Sequence, residues 1–311
     1  MRVLSLFDGI SCGRVALERA DIPVDMYVSS EIDKYAIQIA QKNYPDIVQI
    51  GDITNVCFSE YAGEIDLIIG GSPCQGFSTA GQGLNFDDPR SKLFFEFVRA
   101  IKIIKPKYFL LENVKMKKEW QDIISEQLGV APVEINSALV SAQNRVRLYW
   151  TNIPFDKNIE DRKIYLKDIL LQDATTDREK SHAIIGSVAR TTPREYFVKH
   201  QGQLVDITAF VMTQKNLEHV KRPFGSKAPN ITGKDKCPTL TAAMGMGGGN
   251  IPYYEVDGRY WRRITPIECE RLQTLPDNYT AGISNSQRYK ALGNGRTVDV
   301  IAHILKQLPT E

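Results

Sequence analysis

Residues 66–78 read DLIIGGSPCQGFS, an apolar run that ends in a Gly-Gly-Ser-Pro turn and then presents Cys74. The run predicts a strand, and the turn predicts a loop directly after it. A structural cysteine normally lies inside an apolar run, whereas Cys74 follows a proline in a glycine-rich loop, which favours a reactive thiol. The alternative is a free cysteine in an ordinary turn, and this stretch alone leaves both interpretations open.

The chain opens with a strand, a glycine turn and a helix. Residues 2–7 have the pattern of a strand, Gly9 breaks it, and residues 15–20 have the pattern of a helix. Backbone N–H groups at such a turn can approach a polar or anionic ligand. The turn lacks the GxGxxG spacing of dinucleotide-binding folds, which disfavours a dehydrogenase.

Two further strands end in acidic residues. The strand predicted at 27–31 ends in Glu31, and the strand predicted at 47–50 runs into Asp52. A carboxylate after the second strand suits the vicinal hydroxyls of a ribose, and one after the third strand can accept a hydrogen bond from an adenine amino group. A solvated glutamate is an equally good interpretation of Glu31 from the residues alone.

Strands and helices continue to alternate after the cysteine loop. A helix is predicted at about 91–104, and a strand at 108–111 ends in Glu112. Strands at 133–139 and 146–151 follow, with Arg145 and Arg147 at a spacing that places both on one face. The alternation predicts a doubly wound, mostly parallel α/β sheet with active residues at strand ends. A helix cap for Glu112 and structural ion pairs for the arginines are the alternatives.

Bulk composition indicates an ordinary globular protein. The chain has 311 residues, of which 42% are apolar and 24% charged, enough for one large core and a second, smaller lobe. No apolar run approaches the roughly 20 residues of a membrane span, and no signal-peptide pattern is present. Five scattered cysteines without a CxxC pair argue against a disulfide framework or a structural zinc site. We therefore expect a cytoplasmic protein without a bound metal.

The regular alternation of predicted strands and helices ends at about residue 154. The sequence after it predicts a smaller, irregular domain. Strand-like pieces occur at 209–213, 239–243 and 253–256. Basic patches interleaved with aromatic residues suit nucleic-acid binding, although such patches are as often a solvated face. The net charge of +2 does not favour either interpretation. Thr265 and Glu268 predict a capping box for a helix over 265–275, and a last helix is predicted at 297–308.

Six motifs together resemble the DNA (cytosine-5)-methyltransferases across nearly the whole chain. The motifs are LFDG at 6–9, PCQ at 73–75, ENV at 112–114, QNRVR at 143–147, the segment 263–273 ending in RLQ, and GN at 293–294. The first motif, with Ser11 and Cys12 where bacterial members often have two glycines, also resembles the de novo DNA methyltransferases. One departure is Arg296, where relatives usually have an apolar or aromatic residue.

The resemblance implies a class I methyltransferase-like fold that transfers a methyl group from S-adenosylmethionine to carbon 5 of a flipped cytosine in double-stranded DNA, through a covalent cysteine adduct. It implies a catalytic domain at 1–155, a target-recognition domain at 156–280 and a C-terminal helix at 281–311 that returns to the first domain. The bacterial or phage character also admits a cognate restriction endonuclease as a partner system. Two alternatives remain: a catalytically impaired homologue that binds DNA as a regulator, and an RNA (tRNA) cytosine-5 methyltransferase.

The same resemblance assigns roles to individual residues. The implied catalytic residues are Cys74, Glu112, Arg145 and Arg147. The implied cofactor-binding residues are Phe7, Asp8, Gly9, Ile10, Glu31, Ile32, Asp52, Ile53, Gly71, Pro73, Leu93, Asn294 and Gly295. The implied substrate-binding residues are Gln75, Ser78, Asn113 and Gln143. We expect Arg296 to crowd the cofactor pocket, because relatives manage without an arginine there, and pairing with the methionine carboxylate of the cofactor is the alternative. Burial without a partner would cost several kcal/mol, which favours a paired or outward rotamer.

Overall fold

A computed structural model describes residues 1–72, 89–171, 174–184, 186, 191, 194–208, 253–256 and 259–308. Four predicted site residues, Pro73, Cys74, Gln75 and Ser78, lie outside these ranges, as do the predicted strands at 209–213 and 239–243.

The main sheet has seven strands in the order β3-β2-β1-β4-β5-β7-β6. The strands are β1 (Arg2–Leu6), β2 (Met26–Ser30), β3 (Val48–Gln49), β4 (Leu67–Gly70), β5 (Tyr108–Val114), β6 (Val133–Asn136) and β7 (Val146–Thr151). The first five are parallel, and β7 runs antiparallel to both β5 and β6. Strand order reverses at β1 and β4, so the sheet is doubly wound, as predicted.

Eight α-helices accompany the strands within the described ranges. They are α1 (Cys12–Arg19), α2 (Lys34–Asn43), α3 (Pro89–Ile104), α4 (Lys118–Leu128), α5 (Leu166–Ile169), α6 (Pro266–Leu272), α7 (Asn285–Asn294) and α8 (Val298–Leu305). The predicted capping box of α6 is confirmed, because Thr265 accepts from the Glu268 N–H and Glu268 accepts from the Thr265 N–H. The sequence patterns did not predict α4 and α7.

The core lies where α3 covers β4 and β5. Phe94 and Phe97 of α3 are fully buried together with Ile68 and Leu111 of the strands. A Cβ atom built on Gly70 would lie 2.5 Å from the Phe97 ring, so the approach of α3 to the end of β4 requires glycine there. This packing holds together β4 and α3, the two elements that precede and follow residues 73–88 in the chain.

The chain divides into two compact units. The first comprises Met1–Val140, Arg145–Asp161 and Gly295–Glu311, and the second comprises Ser141–Asn144 and Arg162–Asn294. The second unit contains a three-stranded antiparallel sheet, β8 (Leu204–Asp206), β10 (Arg259–Arg263) and β9 (Tyr253–Val256). In the described residues, no helix is long and apolar enough to cross a membrane.

Candidate active site

The turn after β1 is built around a buried carboxylate. Asp8 accepts hydrogen bonds from the hydroxyls of Ser5 (2.5 Å), Ser11 (2.5 Å), Tyr27 (2.8 Å) and Ser29 (3.0 Å). These bonds tie the turn to β1, β2 and the start of α1. Asp8 therefore orders this turn through contacts within the protein.

Replacing Asp8 with Asn should destabilise the fold by about 1 to 3 kcal/mol, because an amide cannot accept from all four hydroxyls and leaves buried donors unpaired. Chemical denaturation of the two proteins measures the difference in the free energy of unfolding. Asp46→Asn, at an exposed carboxylate, is the control and should change it little. Equal stability of wild type and Asp8→Asn would contradict this role for the network.

Three residues of the turn have left-handed backbone conformations. The φ angles are 54° for Phe7, 65° for Gly9 and 57° for Ser11. The Gly9 N–H donates to Glu31 Oε2 at 2.7 Å, so the carboxylate after β2 is bonded to the turn after β1. Two predicted cofactor residues, Gly9 and Glu31, are thus brought together.

Glu31 and Ile32 directly follow β2. Glu31 Oε1 accepts from the backbone N–H groups of Ile32 and Asp33, each at 2.8 Å. Together with the Gly9 bond, these contacts occupy three of the roughly four lone-pair positions of a carboxylate. The Ile32 side chain is 74% exposed. An oriented carboxylate beside an open apolar side chain is a combination suited to a nucleoside.

The remaining cofactor candidates of the first unit differ in exposure. Asp52 Oδ1 accepts from the Thr54 N–H and hydroxyl, each at 2.9 Å, at the start of the 3-10 helix Ile53–Asn55. Ile10 and Ile53 are buried, and Leu93 packs against the core cluster. These three apolar side chains contribute to the hydrophobic core.

The carboxylate of Glu112 lies between two guanidinium groups. Arg147 Nε is 3.1 Å from Glu112 Oε1, and Arg296 Nε is 3.6 Å from Glu112 Oε2. The Glu112 residue is only 9% exposed, and the Arg296 residue 5%. Each carboxylate oxygen therefore has its own positively charged neighbour.

Asn113 connects the end of β5 to the end of β4. Its Nδ2 donates to Ser72 Oγ at 3.1 Å and to Ser72 O at 3.4 Å, and its Oδ1 accepts from the Val114 N–H at 2.8 Å. Ser72 is the last described residue before Cys74. The bonds hold the start of that segment against the strand that carries Glu112.

Arg145 lies just before β7 and is buried. Its Nη2 donates to Gly295 O at 2.8 Å, which links two predicted site residues far apart in sequence. Burial, assisted by the charge of Arg147, lowers the pKa of Arg145 to about 10, so the side chain stays charged near neutral pH. Arg145 therefore adds a positive charge to the first unit and anchors the segment before α8.

Arg296 turns inward. Besides the contact with Glu112, its Nη2 donates to Phe7 O at 3.2 Å. A Cβ atom built on Gly71 would lie 2.9 Å from Arg296 Nη2, so the guanidinium lies directly against the backbone of Gly71. Its Nη1 is buried and has no hydrogen-bond partner in the described residues. Arg296 thus pairs with Glu112, which the sequence did not predict, while crowding of the cofactor pocket and pairing with the cofactor carboxylate both stay predictions.

The described cysteines differ in reactivity. Burial raises the pKa of Cys12 to about 11, an effect that Arg296 only partly offsets, and burial also raises the pKa of Cys269. Both are therefore neutral thiols with little nucleophilic character. Cys57 is exposed and contacts Ser59 Oγ at 3.1 Å.

Two predicted site residues belong to the second unit. Gln143 is fully buried: its Nε2 donates to Leu272 O at 3.1 Å, and its Oε1 accepts from the Ile184 N–H at 2.8 Å. These bonds give Gln143 a supporting position within its unit. Asn294 is exposed at the end of α7.

Sequence reasoning missed two residues of this region. Ser72 had a signal, since it directly precedes the Pro-Cys pair, whereas Tyr149 had none, because its proximity to Glu112 comes from the register of β5 and β7. Burial, reinforced by the charge of Glu112, raises the pKa of Tyr149. Among the residues described, no cluster of three or more His, Cys, Asp or Glu side chains could hold a metal ion.

Sequence comparisons with known proteins point to one family, and a solved structure has a similar fold. The sequence profile of the C-5 cytosine-specific DNA methylases matches residues 1–310. Type II methyltransferase M1.ScrFI of Lactococcus lactis subsp. cremoris is 32% identical, over 99% of this chain and 77% of the relative. The orphan methyltransferase M.SPRI of Bacillus phage SPR is 28% identical, over 99% and 97% of the two chains. The Entamoeba histolytica methyltransferase EhMeth has a similar fold, with a TM-score of 0.70 at 17% identity, over 99% and 97% of the two chains.

Proposed function

Because the chain belongs to the C-5 cytosine-specific DNA methylase family, we propose that it methylates carbon 5 of cytosine in double-stranded DNA with S-adenosylmethionine as donor and Cys74 as nucleophile. The observation that best supports these roles is the position of Glu112, whose carboxylate is held by Arg147 at 3.1 Å. Asn113, the next residue, is bonded to Ser72, which lies two positions before Cys74.

The first unit offers groups that fit S-adenosylmethionine. The Phe7–Ile10 turn would hold the methionine portion, Glu31 would accept from the ribose hydroxyls, and Ile32 would contact the adenine. Asp52 would accept from the adenine amino group. The exposed Ile32 side chain and the fixed orientation of Glu31 support this assignment. When bound, the cofactor supplies an electrophilic methyl group.

The chemistry requires a nucleophile and an acid. Carbon 5 of cytosine is a weak nucleophile, so the Cys74 thiolate first adds to carbon 6, and a thiolate suits this step. The carboxyl of Glu112 donates a hydrogen bond or proton to ring nitrogen 3, which takes up the charge of the attack. Carbon 5 then receives the methyl group and gives its proton to solvent. The carbon–sulfur bond breaks to restore the ring and the thiolate, and any proton on ring nitrogen 3 returns to Glu112.

The target base must leave the DNA stack before these steps, at a cost of a few kcal/mol. We assign Arg147 to the orientation of Glu112, and Arg145 to the anchoring of Gly295 and to the positive charge that the flipped base meets. Gln75 and Ser78 would contact the displaced base or its backbone. Asn113 would brace the segment that carries Cys74, in keeping with its bonds to Ser72.

We infer DNA as the macromolecular partner from the family, and a cytoplasmic location from the bacterial and phage relatives. The relatives include both a type II and an orphan methyltransferase. A type II enzyme would share its recognition sequence with a cognate restriction endonuclease.

The deciding experiment follows a labelled methyl group from S-adenosylmethionine into unmethylated duplex DNA, with nuclease digestion to identify the product. We expect 5-methylcytosine in the duplex, and no comparable label in a tRNA pool. Label in tRNA alone would assign the activity to RNA. A folded chain that binds DNA but transfers no label to either would instead be a regulator.

We further propose that residues 156–280 recognise the target sequence, with 1–155 and 281–311 forming the catalytic part. Grafting residues 155–260 onto a relative of different specificity should transfer the sequence that is methylated, since base readout depends on local groups in the grooves. Sequencing of methylated cytosines measures the outcome. An active graft that retains the specificity of the host would contradict this assignment.

A further inference from the structure

We propose that Arg296 is a positioning residue for Glu112, so that the acid is held by one guanidinium on each oxygen; this inference rests on the proposed role of Glu112 in cytosine methylation. Arg147 contacts Oε1 from β7, and Arg296 contacts Oε2 from the segment before α8. A carboxylate held on one side only can rotate about its last bond. Contacts on both oxygens fix the plane in which the carboxyl meets ring nitrogen 3.

The surroundings of Arg296 are built for an inward guanidinium. Gly71 leaves space that a Cβ atom would fill, and Phe7 O accepts a hydrogen bond from Nη2. The backbone of Phe7 has a positive φ of 54°, an uncommon conformation for a residue with a side chain. Two separate segments of the chain, at Phe7 and at Gly71, thus accommodate the inward guanidinium.

The positive charge of Arg296 would also assist the proposed attack on cytosine. Attack by a thiolate on carbon 6 pushes electron density toward ring nitrogen 3, and Glu112 becomes a carboxylate when its proton is donated. The guanidinium groups of Arg147 and Arg296 lie where they can stabilise the negative charge that the attack develops near ring nitrogen 3. The charged groups that face Glu112 are Arg147 and Arg145 from the β7 side and Arg296 from the segment before α8; Tyr149 and Cys12, both with raised pKa values, remain neutral near pH 7.

The test is a double-mutant cycle with Arg296→Met, Glu112→Gln and the double variant. The rate of covalent adduct formation is measured on duplex DNA that contains 5-fluorocytosine. We expect Arg296→Met to slow adduct formation by about tenfold or more, the effect of losing one contact with a charged group. In the Glu112→Gln background the same change should have a much smaller effect. Arg296→Lys, which retains the charge, should react faster than Arg296→Met.

Two controls separate positioning from a general structural role. Arg19→Met removes an ion pair between α1 and Asp299 of α8 without touching Glu112, and should leave adduct formation near the wild-type rate. Calorimetry with S-adenosylhomocysteine should show a much smaller loss for Arg296→Met than the loss in rate. Equal effects of Arg296→Met with and without Glu112, or a loss of cofactor affinity as large as the loss in rate, would overturn the inference.

A measurement without ligands tests the pairing of Arg296 with Glu112 separately from the proposed methylation activity. The same cycle, followed by chemical denaturation of the ligand-free chain, should give a coupling free energy between Arg296 and Glu112. Absence of that coupling overturns the pairing whatever the enzyme does. A wild-type chain that forms no adduct, but shows the coupling, would contradict the proposed function and with it the catalytic purpose of the pair.

Discussion

Cys74→Ala should form no covalent complex with duplex DNA that contains 5-fluorocytosine, whereas the wild-type chain should form one that survives denaturation. Release of the enzyme requires loss of a proton from carbon 5. Fluorine at that position cannot be lost in the same way, so the adduct is trapped after methyl transfer. Gel electrophoresis under denaturing conditions, with labelled DNA and S-adenosylmethionine, measures the complex. The expected change is complete, because no other group in the proposed mechanism supplies the bond to carbon 6.

Cys57→Ala is the matched control, since Cys57 is an exposed thiol in the same unit. It should form the adduct as the wild-type chain does. Cys12 and Cys269 are buried thiols whose pKa values are raised, so neither should replace the nucleophile. If Cys74→Ala still formed a trapped complex and a Cys57 variant did not, the nucleophile would be Cys57 and the assignment to Cys74 would be wrong.

Glu112→Gln should slow methylation by about 10²-fold or more while cofactor and DNA binding persist. An amide of the same shape can donate a hydrogen bond to ring nitrogen 3 but cannot transfer a proton. It also removes the negative charge that Arg147 and Arg296 neutralise. Single-turnover rates at saturating DNA and cofactor isolate the chemical step from binding.

Glu134→Gln provides the comparison for that variant. Glu134 lies on β6 of the same sheet and pairs with Lys115 at 2.9 Å, but both side chains are substantially exposed. Its replacement should leave the rate unchanged, because exposed ion pairs contribute little. Turnover of Glu112→Gln equal to that of Glu134→Gln would return Glu112 to a structural role.

The parallel half of the sheet could be predicted because each of its strands is a short apolar run that ends in a turn. The antiparallel position of β7 could not, because strand direction depends on which neighbour pairs with it. That pairing also explains why Glu112 lies inside β5, opposite Tyr149, although the sequence suggested that the strand ends before it. Local patterns identify strands but do not specify their partners.

In the candidate active site, too, some residues could be predicted from local sequence and others could not. Glu31 and Glu112 could be recognised because each follows or ends an apolar run, and acids at strand ends converge in such sheets. The Asp8 network and the Arg296 contact could not, since both depend on side chains that meet only after the sheet and α8 are assembled. Gln143 illustrates the reverse case, because a residue inside a recognisable motif proves to be bonded within the second unit.

The contact of Arg296 with Phe7 has a consequence for biosynthesis. Phe7 leaves the ribosome long before Arg296, so the carboxylate of Glu112 acquires its second guanidinium only after the segment before α8 has been made. A nascent or prematurely terminated chain that ends before residue 296 already carries Cys74 and Glu112 but lacks Arg296 and the whole of α8. In such a chain Arg147 can still contact one oxygen of Glu112, but the contact of Arg296 with the other oxygen is missing.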